Sequence, residues 1–475
     1  MKKCLLCVVL FSVLILSSVA QTKPPLMGLH TNHLTSWPVQ VPFDAWRSMD
    51  ATGYVGGETR SMNWSEIQTG RETFHFDLVD AFMEAAAAAK VKVMFTPYGT
   101  PSFIASSVGY TTDDSGTRNC TCDAGTGVNG CYPPSDLNGD GSGSNTTWKN
   151  FIAALANHVH TKHLADPNGY ADITFWESGN EYVVNGPQWC GSYKQLDRMM
   201  QDERCIIRGR GPGCKKTAIN SQAQILTVAL DDGGNPLDIQ YLNATANVNP
   251  VNSPAQLADF INYHGYVAGS LPPENVVGQY ASDYREIAQV PAAANKKIYI
   301  TEGGWKEAKP PANWSDTASW FPRYLLSMAS TGIHGFNFFF YDGYAHDTKT
   351  GPTMPVLWAA SNPPDNYWCS LQASPGYYCS TGPGWMKIYT WLQGVLFSGS
   401  CVQTPAGSNI YNCAHTSSQY AHGLFVWYGV MNGSTEYTIP AGYDRMENMG
   451  GKTTPVNEGQ KITLTDSPIL LSSAE

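Results

Sequence analysis

Short apolar runs rich in β-branched and aromatic residues recur along the chain, separated by longer stretches whose apolar residues fall three and four positions apart. The short runs predict strands near Leu26 to His30, Ala45 to Met49, Val91 to Thr96, Ile173 to Trp176, Ile225 to Leu230, Phe260 to His264, Ile298 to Thr301 and Gly335 to Phe340. The longer stretches predict amphipathic helices between them, among them Phe76 to Ala89, Trp148 to His160 and Trp320 to Ala329. Strands alternating with helices build a parallel sheet with helical crossovers, and eight strands are the number that closes a (β/α)8 TIM barrel.

After Trp385 to Leu396, which reads as the last barrel helix, the period changes from helical to alternating. HGLFVWYGV, STEYTIP and KITLTDSPILL follow one another with turn residues between them. The barrel is therefore expected over 21–398 and a small C-terminal antiparallel β-sandwich over 399–475, with room for an added strand from the mature N-terminus. Three stretches look irregular: 109–145, rich in Gly, Asp, Ser and Asn with three cysteines, then about 189–216, then 346–384. Each follows a strand, so all three are expected at the barrel mouth, where loops carry function.

The first residues change the picture of where the protein works. Lys2 and Lys3 precede an apolar run from Cys4 to Leu16 and the small residues Ser17, Ser18 and Ala20, the pattern of a cleavable secretory signal over 1–20. A secreted or periplasmic protein is expected. Of the 12 cysteines, Cys4 and Cys7 leave with that signal, and the even remainder reads as disulfides in an oxidising compartment. Near neighbours suggest Cys205 with Cys214, Cys369 with Cys379 and Cys401 with Cys413. Cys120, Cys122, Cys131 and Cys190 supply two more bridges whose pairing stays open. A zinc site is disfavoured, because CTC lacks the usual two-residue spacer and no histidine pair follows at finger spacing. Charged residues are 14% of the chain, aromatics 12%, and the net charge is −10 with no basic run. That balance argues against nucleic acid or an anionic membrane as partner and favours a neutral substrate.

Two segments carry candidate chemistry. ADITFWESGNEY runs as an apolar strand into Asn180 and Glu181, and KKIYITEGGW runs as another into Glu302. Each ends in a carboxylate at the C-terminal mouth, and a separation of about 120 residues fits three βα units with insertions. Two carboxylates about 5 to 5.5 Å apart act as acid/base and nucleophile through a covalent glycosyl-enzyme, whereas a wider gap admits water and inversion. One of the pair must hold a proton for the leaving oxygen, a state that burial and a neighbouring carboxylate favour. Glu177 competes for the acid role but lies deeper in its strand and lacks a preceding Asn.

The strand-end Asn-Glu and the later TEGGW resemble glycoside hydrolase clan A, and within it family 39, the group of β-xylosidases and α-L-iduronidases. Further points of resemblance are GLHTNHL, FDAWRSMDA, INYHGY and the C-terminal β segment. The resemblance implies Glu181 as acid/base, Asn180 on the substrate 2-hydroxyl, Glu302 as nucleophile and a retaining mechanism. That mechanism needs only carboxylates and water, so no cofactor or metal is expected. Tyr182 departs from it, standing where many members have proline, as does an inserted-looking GYVGGETR after the second strand.

Further candidates for the substrate site are Arg47, which would hold the nucleophile ionised, His264 and Tyr266 at the sixth strand end, and Trp305, Tyr341, Tyr98 and Trp37 as aromatic faces for a sugar. Each has a plainer reading. A lone strand-end Glu is usually a salt-bridge partner, Arg47 a barrel ion pair, His264 and Tyr266 a hydrogen-bonded inner layer, and a buried aromatic a packing residue. DLNGDG at Asp136 resembles the start of a calcium loop, but its twelfth position is Thr147 rather than Glu. HVHTKH reads as histidines at a helix end, and RGRGPG lacks the strand that a phosphate cradle needs. Sequons stand at Asn63, Asn119, Asn145, Asn243, Asn313 and Asn432. The expected activity is hydrolysis of a β-linked oligosaccharide or polysaccharide. Its rivals are a non-catalytic carbohydrate-binding barrel and an inverting hydrolase or transglycosylase.

Overall fold

In the computed structural model the described residues are 23–473 apart from 32–43, 49–52, 56–57, 61, 123–128, 184–187, 210–213, 215–216, 231–235, 269–270, 307–313, 339–341, 344–357 and 360–384. The expected signal, Cys369 with Cys379, and nearly all of 346–384 lie outside them. Eight parallel strands close a barrel in chain order. They are β1 (Leu26–Thr31), β2 (Ala45–Ser48), β3 (Lys92–Phe95), β4 (Ile173–Glu177), β5 (Gln224–Leu226), β6 (Phe260–Ala268), β7 (Lys297–Lys306) and β8 (Gly335–Phe338), and β8 pairs back onto β1. Every one falls where the apolar pattern predicts it.

Alternation gives the barrel its two faces. Met94, Phe175, Leu226, Phe260 and Tyr299 form an inner plug with Leu26, while Leu29, Trp46, Val93, Trp176, Ile225, Ile261 and Ile300 belong to the outer core that meets the helices. Two residues beyond the plug, on the same inward face, stand Thr96, Glu177, Asn262 and Thr301. The barrel therefore becomes polar toward its C-terminal mouth.

The helices of the outer layer are α1 (Asp77–Ala89), α2 (Thr146–Ala165), α3 (Tyr193–Arg208), α4 (Pro236–Asn243), α5 (Asn275–Ile287), α6 (Trp314–Ala329) and α7 (Trp385–Leu392). At the start of α2, Asn145 takes a left-handed φ of 45° and makes no side-chain cap. Asp136 caps instead, accepting from the Thr146 amide at 2.6 Å and the Ser144 hydroxyl at 2.7 Å. The DLNGDG segment is thus a capping loop, with Asp140 accepting from the Ser142 amide and from Asn247. The α2 histidines fasten the helix to its neighbours: His158 meets Asp80 at 2.6 Å, His160 meets Asp172 at 2.7 Å, and His163 meets the Tyr170 carbonyl.

One expectation is corrected here. The stretch 189–216 is not an irregular insertion, because α3 runs through most of it. Ser192 and Gln195 form a capping box, Leu196, Met199, Met200, Ile206 and Ile207 face inward, and Gly209 closes the helix in the left-handed region. The 109–145 loop carries a short hairpin, Gly109–Tyr110 with Thr117–Arg118. GYVGGETR forms another, Gly53–Val55 with Glu58–Arg60.

The disulfides Cys205–Cys214 and Cys401–Cys413 are present as expected, and the open set pairs as Cys120–Cys190 and Cys122–Cys131. Two sequons are closed to a glycan in the folded protein. Asn63, 5% exposed, caps a short helix, and Asn145 is fully buried. Asn119, Asn243 and Asn432 are exposed, and Asn313 is outside the described residues.

Beyond α7 the chain turns all-β. Strands β9 (Leu396–Phe397), β10 (Val402–Gln403), β11 (Ile410–Thr416), β12 (Gly423–Tyr428), β13 (Ser434–Thr438), β14 (Arg445–Asn448), β15 (Thr453–Pro455), β16 (Lys461–Thr465) and β17 (Ile469–Ser472) follow in order. They form a sheet ordered β9-β11-β12-β17-β14-β15, with β10 on β11, and a separate β13-β16 pair. The barrel with this C-terminal β-sandwich is the expected architecture. The added N-terminal strand is a correction, since β1 sits in the barrel between β2 and β8. Arg323 of α6 bolts the two layers together. It grips Glu274 through two nitrogens at 2.7 and 2.9 Å and donates to the Gly429 carbonyl, while Trp427 of β12 donates to the same Glu274. No described helix is long and apolar enough to cross a membrane.

Candidate active site

The polar end of the barrel is organised around Arg47, which β2 aims inward with no exposed surface. Its Nε donates to Glu177 at 2.9 Å, Nη1 to Glu302 at 2.5 Å and Nη2 to the Asn180 carbonyl oxygen at 2.8 Å. Glu177 is the buried counter-charge. It also accepts from Thr96 at 2.6 Å, Asn262 at 2.7 Å and Thr301 at 3.1 Å, so every lone pair it offers is used within the barrel. That set makes Glu177 a strut for Arg47. Arg47 itself is fully covered and directed at carboxylates, so it meets Glu302 rather than a sugar.

Glu302 reaches the same cavity through an irregularity. Tyr263 pairs with Ile300, but His264 pairs with Glu302, so the β6–β7 register slips by one at Thr301. A strict alternation would turn Glu302 outward after an inward Thr301. The bulge lets Thr301 bind Glu177 and Glu302 face the mouth. At 6% side-chain exposure, Glu302 takes a hydrogen bond from Tyr266 at 2.7 Å, and His264 Nδ1 lies 3.5 Å away. Burial alone would raise its pKa. The positive charges of His264, Arg47 and His30, with the Arg47 hydrogen bond, overcome that and hold it down at about 2.

Glu181 occupies the rim. Its backbone takes φ 45°, following Gly179 at φ 146°, and this turn lifts the carboxylate off the end of β4. At 31% side-chain exposure it remains open to solvent, unlike Glu302. His264 Nδ1 meets Oε1 at 2.7 Å, and Gln188 donates to Oε2 at 2.8 Å. Tyr182 holds the turn from behind, accepting from the Gly99 amide at 3.1 Å and stacking on Trp189 at 5.0 Å. A side chain at Gly179 would run into that ring.

His264 thus stands between the two carboxylates, and one ligand atom from each of Glu181, His264 and Glu302 lies within 4.8 Å of the others. Burial lowers the pKa of His264, but Glu302 and then Glu181 raise it beyond that loss, so the imidazole is held toward its cationic form. Tyr266 is pushed well above its ordinary value by burial and by Glu302, so it donates and does not ionise.

The structure brings Arg47, Asn180, Glu181, His264, Tyr266 and Glu302 together. Trp305 follows in β7, opposite Val267. Trp37 and Tyr341 lie outside the described residues. Tyr98 is corrected as a sugar platform, because its ring is packed in the main core at 3% exposure. Gln188 was missed, since nothing in the local pattern of YVVNGPQWC marks it. Thr96, Asn262 and Thr301 were also missed, although the two-residue repeat from the plug points to them.

The architecture is a (β/α)8 barrel with a C-terminal β-sandwich, a fold shared with glycoside hydrolases of known structure. The chain is similar to a family 39 glycoside hydrolase from the gut symbiont Bacteroides cellulosilyticus WH2, at 13% identity and a TM-score of 0.60, over 95% of this chain and 81% of that one. It is also similar to a conserved exported protein from Bacteroides fragilis (12% identity, TM-score 0.55, 96% and 98% covered). A third match is a family 30 subfamily 8 xylanase from Clostridium acetobutylicum (13%, TM-score 0.51, 95% and 97%). At these identities the likeness is one of fold. No protein-family profile matches the chain, and no curated protein does.

Proposed function

We propose that the protein is a secreted glycoside hydrolase that cleaves β-linked oligosaccharide or polysaccharide with retention. The observation that carries this reading is the pair Glu181 and Glu302, close enough for direct double displacement and placed in opposite surroundings. Oxygens of the two lie within 4.8 Å, in keeping with the about 5 to 5.5 Å separation of retaining pairs rather than the wider gap of inverting ones. Glu302 is buried, ionised and fixed by Arg47 and Tyr266, the state a nucleophile needs. Glu181 is solvent-facing and able to exchange its proton, the state an acid/base needs.

In the first step a Glu302 oxygen attacks the anomeric carbon while Glu181 gives its proton to the departing glycosidic oxygen. In the second, Glu181 takes a proton from water as that water attacks the same carbon and the ester to Glu302 breaks. Asn180, which Arg47 orients, binds the sugar 2-hydroxyl in this reading, and Trp305 is its candidate aromatic face. The chemistry needs carboxylates and water and no cofactor. Residues 1–20 serve as the export signal, 21–398 as the catalytic barrel and 399–475 as the accessory β-sandwich. The disulfides support an oxidising, extracellular or periplasmic location.

The test is a panel of aryl β-glycosides with wild type, Glu181→Gln and Glu302→Gln, with the first-formed anomer followed by NMR. The expected result is a β-anomer first, collapse of Glu302→Gln on every substrate, and loss in Glu181→Gln that is smallest for good leaving groups. An α-anomer first would mean inversion, and variants as active as wild type would sink the two-glutamate assignment.

A further inference from the structure

We infer that Gln188 is a positioning residue for Glu181, the end of a hydrogen-bond relay that starts at Arg47 and ties the acid/base to the nucleophile's own cation. The inference rests on the glycosidase reading of Glu181 and Glu302.

The direction of the relay is fixed by donor chemistry. A guanidinium donates and never accepts, so the Asn180 atom 2.8 Å from Arg47 Nη2 is its carbonyl oxygen. The Asn180 amide nitrogen must then face the other way, and it donates to Gln188 Oε1 at 3.1 Å. That leaves Gln188 Nε2 pointing at Glu181 Oε2, 2.8 Å away. Through its other nitrogen Arg47 donates directly to Glu302. One buried cation therefore orients both carboxylates, Glu302 by contact and Glu181 through two amides, each of which has only one orientation that satisfies its neighbours.

The far end of the relay is anchored. Trp189, next in the chain, stacks on Tyr182, its carbonyl accepts from Arg118 at 2.6 Å, and Cys190 is bonded to Cys120. The Cys190 amide donates to Cys131 at 2.8 Å, and Cys131 is bonded to Cys122. Gln188 is held against the rim by the 109–145 loop, which gives that loop a role in placing the acid/base.

The amide donor on Oε2, opposite His264 on Oε1, fixes the plane of the Glu181 carboxylate at the rim. Hydrogen bonds to charged groups are worth enough that losing one shifts an equilibrium by about tenfold or more. The experiment measures kcat and kcat/KM against pH for wild type, Gln188→Leu and Gln188→Glu on dinitrophenyl and alkyl glycosides of the sugar that the panel selects. Far-UV circular dichroism and melting temperature check the fold.

The alkaline limb of kcat/KM is expected to move up by about one pH unit in Gln188→Leu and further in Gln188→Glu, where a second anion faces Glu181. On the dinitrophenyl substrate, where breakdown of the intermediate limits turnover, kcat should fall about tenfold. Folded variants with an unmoved limb and unchanged kcat would overturn the relay, as would a uniform loss with no movement of the limb. An inactive wild type would instead remove the glycosidase reading, and the relay with it.

Discussion

Arg47 and His264 carry the charge balance on which the two glutamates depend. Arg47 contacts Glu302 directly, whereas His264 would face one anion fewer once Glu302 is esterified in the proposed double displacement. In the free enzyme Glu302 and Glu181 together outweigh burial and hold the imidazole toward its cation. In the proposed double displacement esterification of Glu302 would remove its contribution, so the His264 pKa should fall in the intermediate. Glu302→Gln mimics that loss of charge. Imidazole NMR of the variant is expected to show His264 titrating below its wild-type position, whereas an unchanged or raised titration would contradict the arrangement. Arg47, Asn180, Glu181, His264, Tyr266 and Glu302 were legible in the sequence because each ends an apolar strand or lies just past it. Tyr98 was misread: it lies two residues past the inward Thr96 and beyond the end of its strand, and its ring packs into the main core instead. Gln188 had no periodicity to reveal it.

Among the elements, α3 was the one hidden by its composition. Cys205 and the glycines after it obscured a helix whose capping box and apolar spacing were both readable. Its buried face also carries acids. Glu203 has no exposed surface, and neither of its oxygens has a hydrogen-bond partner among the described residues. The Ser178 hydroxyl lies beside it but donates to the Leu226 carbonyl at 3.3 Å. Burial, with Glu177 nearby, lifts the Glu203 carboxyl from 4.5 to about 8, and burial lifts Asp197 on the same helix to about 7. The folded protein thus keeps protons that the unfolded chain has released, so stability falls as pH rises from about 4.5 toward 8. For Glu203 the loss approaches roughly 5 kcal/mol at the top of that window. Denaturant unfolding across it should give a markedly shallower slope for Glu203→Gln, with a residue of slope left by Asp197. An identical slope in the variant would mean that Glu203 is already ionised in the fold.

At the scale of the whole molecule, the barrel and the sandwich were both visible as a change of hydrophobic period near Leu396. Closure of the barrel followed from eight apolar runs. What the period could not show is how the layers are joined, because the joint is made by polar groups: Arg323, Glu274 and Trp427 form a buried cluster drawn from three distant segments. The mouth was harder to read for the same reason, since it depends on a register slip at Thr301 and on the loop tied down by Cys120–Cys190. All of this scaffold converges on a single chemical claim, that Glu302 becomes covalently bound to the sugar. The direct test is intact-mass and peptide-map analysis after incubation with a deoxyfluoro β-glycosyl fluoride of the cleaved sugar. The fluorine on the ring slows both steps and the fluoride leaving group restores the first, so the intermediate accumulates. A single adduct on the peptide carrying Glu302, absent in Glu302→Gln, is the predicted result. An active enzyme that forms no adduct, or forms it elsewhere, would contradict the account.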